Sequence, residues 1–274
     1  MLNIKEASIL PAIYAHYRFG CDVIKNTPHH ITALIIDYRS LFDIGLHGPD
    51  LLFYYKPLFS NSVNRVGFGI HDKKGRIFFE HAAEVVNKSS HKEPVLAYLY
   101  GSLCHFALDS MCHPYIEEKS TNDNVSHTQI ESSFDLALMQ KDSFKPARHT
   151  ICSYINPTMN SAKLISQFYT SINPKEIFKA QQSFVSYNRF LYTANKLKRG
   201  VALTAFKLSG NYNDMKGLLL PKKQIFECID STNQLFHLYD FALIQAANLF
   251  SEMDLYLSQD KRLSSLFDHT YGAY

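Results

Sequence analysis

Along most of the chain apolar residues recur every three or four positions, and nowhere does a strict apolar–polar alternation persist. The first pattern is that of amphipathic helices; the second would mark half-buried strands. Helices are therefore expected from near Pro11 through Ile13, His16, Tyr17 and Gly20, then over 31–42 with a stop near Gly45. Others are expected over 72–86, 94–113, 127–140, 158–170, 175–208 and 222–257. Pro94 suits a first helical turn, where a missing amide proton costs nothing. The stretch 48–69 mixes Gly, Pro, Asn and Ser with bulky aromatics, which predicts an irregular, partly buried loop. No repeat, low-complexity tract or Pro/Gly-rich linker divides the sequence. The expected architecture is all-α, a single multi-helix domain over residues 1–274.

Two of these helices carry more than periodicity. In Val125-Ser126-His127-Thr128-Gln129-Ile130, Ser126 and Gln129 fit a capping box, and Val125 with Ile130 a hydrophobic staple. This start puts His127 on the first turn, with Glu131 and Asp135 on the same face. Upstream, Leu96, Leu99, Leu103, Phe106, Leu108 and Met111 surround a helix on nearly every side. A helix of that kind is buried. It nevertheless carries His105, Asp109 and His113, which project within about 80° of one another at 3.6 residues per turn.

A lone buried histidine is more often a hydrogen-bonded core residue than a ligand, and an Asp–His pair four apart can be a plain ion pair. Here the groups accumulate as His-x3-Asp-x3-His-x13-His-x3-Glu from His105 to Glu131. Burying so many polar groups costs on the order of several kcal/mol unless each is paired or bound to a cation. Zinc accepts imidazole nitrogen and carboxylate oxygen alike, so the series reads as a metal-ligand set. Ten of the 13 histidines fall between His16 and His127. In that half His16, His47, Asp50 and His71 are further candidates, each unremarkable alone. His29, His30, His81, His91, His149, His237 and His269 are assigned nothing.

Composition adds mainly exclusions. At 46% hydrophobic residues a sizeable core is available, and a formal charge of +3 is too small for nucleic-acid binding by bulk electrostatics. The five cysteines are odd in number and contain no CxxC pair, which argues against a disulfide scaffold. The first residues hold an early Glu and no apolar run of signal-peptide length, and no later run suits a membrane span. A cytoplasmic location is expected.

The ordered set His16, Asp50, His71, His105, Asp109, His113, His127 and Glu131 resembles the ligand series of the zinc-dependent phospholipases C. That family includes secreted bacillar phospholipases and the catalytic domain of clostridial alpha-toxin, and is distantly similar to fungal single-strand nucleases. The resemblance covers residues 11–140. It implies two to three zinc ions in one cleft: Asp50, His71, His105 and Asp109 on one, His113, His127 and Glu131 on a second. Asp109 would bridge to a third that His16 also binds, with Asp50 and Asp109 the carboxylates at the reacting centre. Such a cluster clamps phosphate oxygens and generates hydroxide from bound water. The implied activity is phosphodiester hydrolysis by metal-bound hydroxide, with phospholipid as a candidate substrate and no nucleophilic side chain.

Several positions depart from the family pattern. Secreted members begin with a Trp whose amine and carbonyl complete the third site, whereas this chain has no Trp and 15 residues precede His16. Between Asp109 and His113 the gap is two residues shorter, and Leu51 stands where those enzymes have Tyr. No C-terminal β-sandwich is evident. His47, three residues before Asp50, is the spare candidate for the third metal. A single-strand nuclease on the same scaffold is a rival reading, with aromatics between Phe53 and Phe68 to stack a base. A non-catalytic metal-binding helical protein is another, and His71-Asp72 invites comparison with HD-type phosphohydrolases. The basic run Lys196-Leu-Lys198-Arg199 reads as a solvated helix face before it reads as a lipid contact. No stable nucleic-acid complex is expected, and the oligomeric state stays open.

Overall fold

Two 31-residue helices form the axis of the fold, α6 (Lys92–Asn122) and α12 (Ile229–Gln259). A computed structural model describes residues 12–57, 59–145, 151–193, 195–208, 210, 212–259 and 261–272. Before α6 come α1 (Ile13–Lys25), α2 (His29–Asp37), α3 (Arg39–Gly45), α4 (Ser62–His71) and α5 (Gly75–Lys88). After it come α7 (His127–Lys141), α8 (Met159–Ser166), α9 (Pro174–Leu191), α10 (Lys196–Leu208) and α11 (Tyr212–Met215). Short 3₁₀ helices occupy Gly48–Tyr54, Lys216–Leu218, Phe226–Cys228 and Ser265–Asp268. Among the described residues there is no strand, only an isolated bridge between Lys74 and Thr270. The all-α expectation holds. No helix among these residues is long and apolar enough to cross a membrane.

Helix α6 is buried almost all round because it has neighbours on every side, chiefly α3 and α12. Contact with α3 is backbone to backbone. A Cβ on Gly101 would lie 2.2 Å from the Phe42 carbonyl oxygen, and one on Gly45 would lie 2.4 Å from that of Tyr98. This close crossing places the turn after α3, which carries His47 and Asp50, directly over α6. One hydrophobic cluster runs from Ala12 to Tyr271, and a smaller one gathers Leu191, Ala202, Phe206, Leu218 and Leu219. All five cysteines are unpaired.

Boundaries differ from the expectation where local signals compete. Residues 48–69 are not an irregular loop. Pro49 sits in the first turn of a fully buried 3₁₀ helix, and Asn61 with Asn64 forms a capping box that starts α4. Turn-forming residue types were here helix caps. The expected helix over 31–42 breaks at Tyr38, and that over 175–208 divides into α9 and α10. Helix α6 continues through Pro114 for two further turns, because tertiary packing outweighs the local penalty of an interior proline. The capping box at Ser126 and Gln129 forms as expected. Pro11 and His149 lie outside the described residues.

Candidate metal centre

His105, Asp109 and His113 rise in a row from α6, and four other segments bring donors to them. The first is α1, which delivers His16. Ala12, at its N-cap, has no side chain that can cap, so the helix is capped from α7 instead. The amides of Ile13 and Tyr14 donate to Asp135 Oδ2 at 3.0 and 3.1 Å, and that of Ala15 donates to Oδ1 at 2.8 Å. Tyr192 adds a hydroxyl donor at 2.7 Å. Burial pushes the Asp135 carboxyl up to about 6, and the Tyr192 hydroxyl with the α1 amides holds it from rising further. Asp135 thus shares a face with His127 and Glu131 but pins the helix that carries His16.

The second segment is the turn at 47–50. Gly48 has φ +42°, and a Cβ there would meet His105 Cδ2 at 2.5 Å. Only glycine lets this turn pass over the His105 ring. Asp50 then faces His71 Nε2 at 2.8 Å from Oδ1 and His105 Nε2 at 3.8 Å from Oδ2. The third segment is the end of α4, where His71 Nδ1 donates to the Gly67 carbonyl at 2.9 Å, which turns Nε2 toward Asp50. The fourth segment is the start of α7. His127 Nε2 and His113 Nε2 lie 3.2 and 3.4 Å from Glu131 Oε1.

Asp109 stands between the two sets. Its Oδ1 faces His16 Nε2 at 3.2 Å and His113 Nε2 at 3.7 Å, and its Oδ2 faces His105 Nε2 at 3.1 Å. His105 Nε2 and Asp109 Oδ2 are buried and close, yet neither makes a hydrogen bond within the protein. The same is true of His127 Nε2 beside Glu131. Buried polar atoms that converge in this way suit a shared cation. Ligand atoms of His16, Asp50, His105 and Asp109 all lie within 4.8 Å of one another, and so do those of His113, His127 and Glu131. Both sets combine imidazole nitrogen with carboxylate oxygen, the donor chemistry of zinc.

The chain matches the family described as zinc-dependent phospholipase C over residues 15–204. It belongs to that family. None of the curated proteins and none of the solved structures matches it. Zinc dependence is a property of the family, and the two donor groups fit that ion.

Electrostatics in this zinc-dependent phospholipase C fold follow from pairing under burial. Burial alone would lower His127, but Glu131 and Glu117 raise it to about 10. Burial would raise Glu131, yet His127 and His113 hold it down at about 2. Asp109 is likewise held well below the usual range, against burial, by His105, His113 and His16. His105 falls to about 4 because burial dominates. His16 and His71 are raised by Asp109 and Asp50 respectively, again against burial.

Of the expected ligands, His71 and His47 fall outside these two groups; His71 meets the first through Asp50, and His47 stands apart. Its ring lies 6.2 Å from that of His16, and Nε2 meets the Tyr154 hydroxyl at 2.9 Å. Burial above all, with the neighbouring His16 and His105 imidazoles, holds it well below the usual histidine range. Sequence reasoning missed Glu117, whose Oε1 accepts from His127 Nδ1 at 2.8 Å. The signal is present, since Glu117 continues the four-residue row 105, 109, 113, but the helix expected over 94–113 stops ahead of Pro114. It missed Tyr271 as well, whose buried ring lies 5.2 Å from His71 and 5.7 Å from His105. No local pattern marks Tyr271. It arrives because Arg76 binds the carbonyls of Leu263 and Ser264 and the Asp268 carboxylate.

A carboxylate behind a ligating histidine fixes its ring and raises its basicity. Glu117→Gln should therefore weaken zinc binding at the His113–His127–Glu131 group by about 10–100-fold. Competition with a chromogenic chelator measures this, and an unchanged affinity would remove Glu117 from the centre.

Proposed function

We propose that this chain is a zinc-dependent phosphodiester hydrolase, phospholipase C-like in reaction class. The observation that carries this reading is Asp109 on α6, a member of one group of imidazole and carboxylate donors whose Oδ1 also lies 3.7 Å from His113 of the other. His16, Asp50, His71, His105 and Asp109 would hold the ions on one side of it, and His113, His127 and Glu131 one ion on the other. Zinc bound there supplies Lewis-acid polarisation of a phosphoryl oxygen and acidifies a coordinated water. The chain's own contribution is positional. Glu117 and the Gly67 carbonyl orient the His127 and His71 rings, and Asp135 holds α1 in place. Asp109 and Glu131 remain ionised at neutral pH, which keeps their oxygens available as ligands.

A single-strand nuclease is the second reading: Phe53 and Tyr54 are buried and Phe53 stacks on Phe68 at 4.4 Å, whereas Phe59 in the same segment is 69% exposed. Asp72 is exposed while His71 is buried, so the two do not act as an HD pair. His47 is proposed as a group bordering the centre rather than a ligand.

Zinc-reconstituted protein should hydrolyse a chromogenic phosphodiester, and chelation should abolish the activity. Short-chain phospholipid and single-stranded oligonucleotide, compared under the same conditions, separate the candidate substrates. A phosphorylated headgroup among the products supports the phospholipase. Inactivity on all three substrates with a full metal complement would leave a non-catalytic metal protein.

A further inference from the structure

We propose that α10 is a docking helix that seats the protein on an anionic lipid surface. Its 13 residues make an amphipathic rod about 20 Å long. Ala202 and Phe206 face inward onto Leu191, Leu218 and Leu219, and Arg199 donates to the Leu220 carbonyl at 2.9 Å. These contacts fix which face looks outward. That face is apolar: Leu197 is 77% exposed, Val201 55% and Leu208 85%. With Ala205 they fall within about 80° of one another around the helix.

Lysines border the stripe on both sides. At 100° per residue, Lys198 lies about 20° beyond Ala205 on one side, and Lys207 and Lys196 lie about 80° and 100° beyond Leu197 on the other. All three are exposed, and α10 contains no acidic residue. An apolar stripe flanked by lysines, one on one side and two on the other, is the arrangement of helices that lie in a lipid interface, hydrocarbon side down and ammonium groups at the phosphates.

Charge selects among the possible occupants. A second copy would bring the same basic, acid-free face against itself, which is repulsive in an isologous contact. Single-stranded nucleic acid is held by stacking aromatics, and the one aromatic residue of α10, Phe206, is buried. An anionic bilayer answers both the lysines and the exposed leucines.

The helix is also connected to the metal centre. Leu191 and Leu218, beneath α10, line a small cavity with Glu131, Tyr54 and Thr128. The 3₁₀ turn carrying Leu218 is pressed onto α7, where a Cβ on Gly217 would meet Thr128 Oγ1 at 2.4 Å. Docking through α10 would bring the Glu131 side of the centre toward the lipid. Only the idea that this lipid is also substrate rests on the proposed phospholipase activity.

Flotation of the full chain with vesicles of phosphatidylcholine, with and without a fraction of phosphatidylserine, tests the proposal in the presence of chelator. Binding should be at least about tenfold stronger to the anionic vesicles and should weaken as salt is raised. The triple substitution Lys196→Glu, Lys198→Glu, Lys207→Glu should reduce it by on the order of 100-fold or more. The pair Leu197→Ser, Leu208→Ser should reduce it about tenfold without changing the salt dependence. Every substituted side chain is exposed, so helicity and hydrolysis of a soluble phosphodiester should match the parent. Vesicle binding that survives both sets of substitutions would overturn the proposal. So would tighter binding to an oligonucleotide, or a dimer that Leu197→Ser disrupts. Vesicle binding by a protein inactive on every phosphodiester would support docking and count against the hydrolase.

Discussion

Alanine in place of Asp109 will leave the purified protein with at least one zinc-class ion fewer per chain than alanine in place of His16. Asp109 touches donors of both groups, with His16 and His113 at Oδ1 and His105 at Oδ2. Its loss would remove a proposed ligand and the anion that lies between the two donor groups, at a site where it is itself nearly inaccessible. His16 supplies one neutral donor, so its removal should weaken only the ion it touches. Each lost contact of this kind lowers affinity by about 100-fold or more, judged from the 10–100-fold effects of outer partners alone. Elemental analysis after dialysis reads the difference, and equal metal content in the two variants would remove the bridging role.

The same centre sets a pH dependence of opposite sign with and without metal. A ligating imidazole must be neutral, and His127 holds its proton up to about 10. Zinc therefore displaces a proton there, and apparent affinity should rise about tenfold per pH unit from neutrality to that value. In metal-free protein the raised His127 contributes stability that is complete below its unfolded value near 6.5 and lost as pH rises through about 10. Thermal scans of the two forms across this window should diverge.

The largest loss of stability is expected from Asp135→Ala, about 4 kcal/mol. Three buried α1 amides and the Tyr192 hydroxyl donate to this carboxylate. A buried donor left without its acceptor costs about 1–3 kcal/mol, and helix termini have no internal substitute. Tyr192→Phe removes one bond of the four and should cost only about 1 kcal/mol. Because Ala15 precedes His16, Asp135→Ala should also reduce metal held by the His16 group more than metal held by His113, His127 and Glu131. Denaturant titration with parallel metal analysis checks both parts. A loss below about 1 kcal/mol would mean that α1 is anchored by its apolar face alone.

The core of the centre was legible in the primary structure because α6 and the start of α7 encode it locally. Four-residue spacing puts His105, Asp109 and His113 in one row, and the Ser126–Gln129 box sets where His127 and Glu131 begin. Family membership was legible for the same reason. The segments that complete the centre follow no local rule. Gly48 is required because His105 lies beneath it, and Gly45 and Gly101 because two backbones touch, facts that exist only once α3 crosses α6. Glu117 was concealed by a proline that isolated helices reject and a packed one tolerates. Asp135 caps a helix some 120 residues away, and Tyr271 reaches His71 through a segment held by Arg76. Spacing along the chain determined which donors share a helix face; which faces meet was decided by packing, since burial rewards contacts irrespective of their separation in sequence.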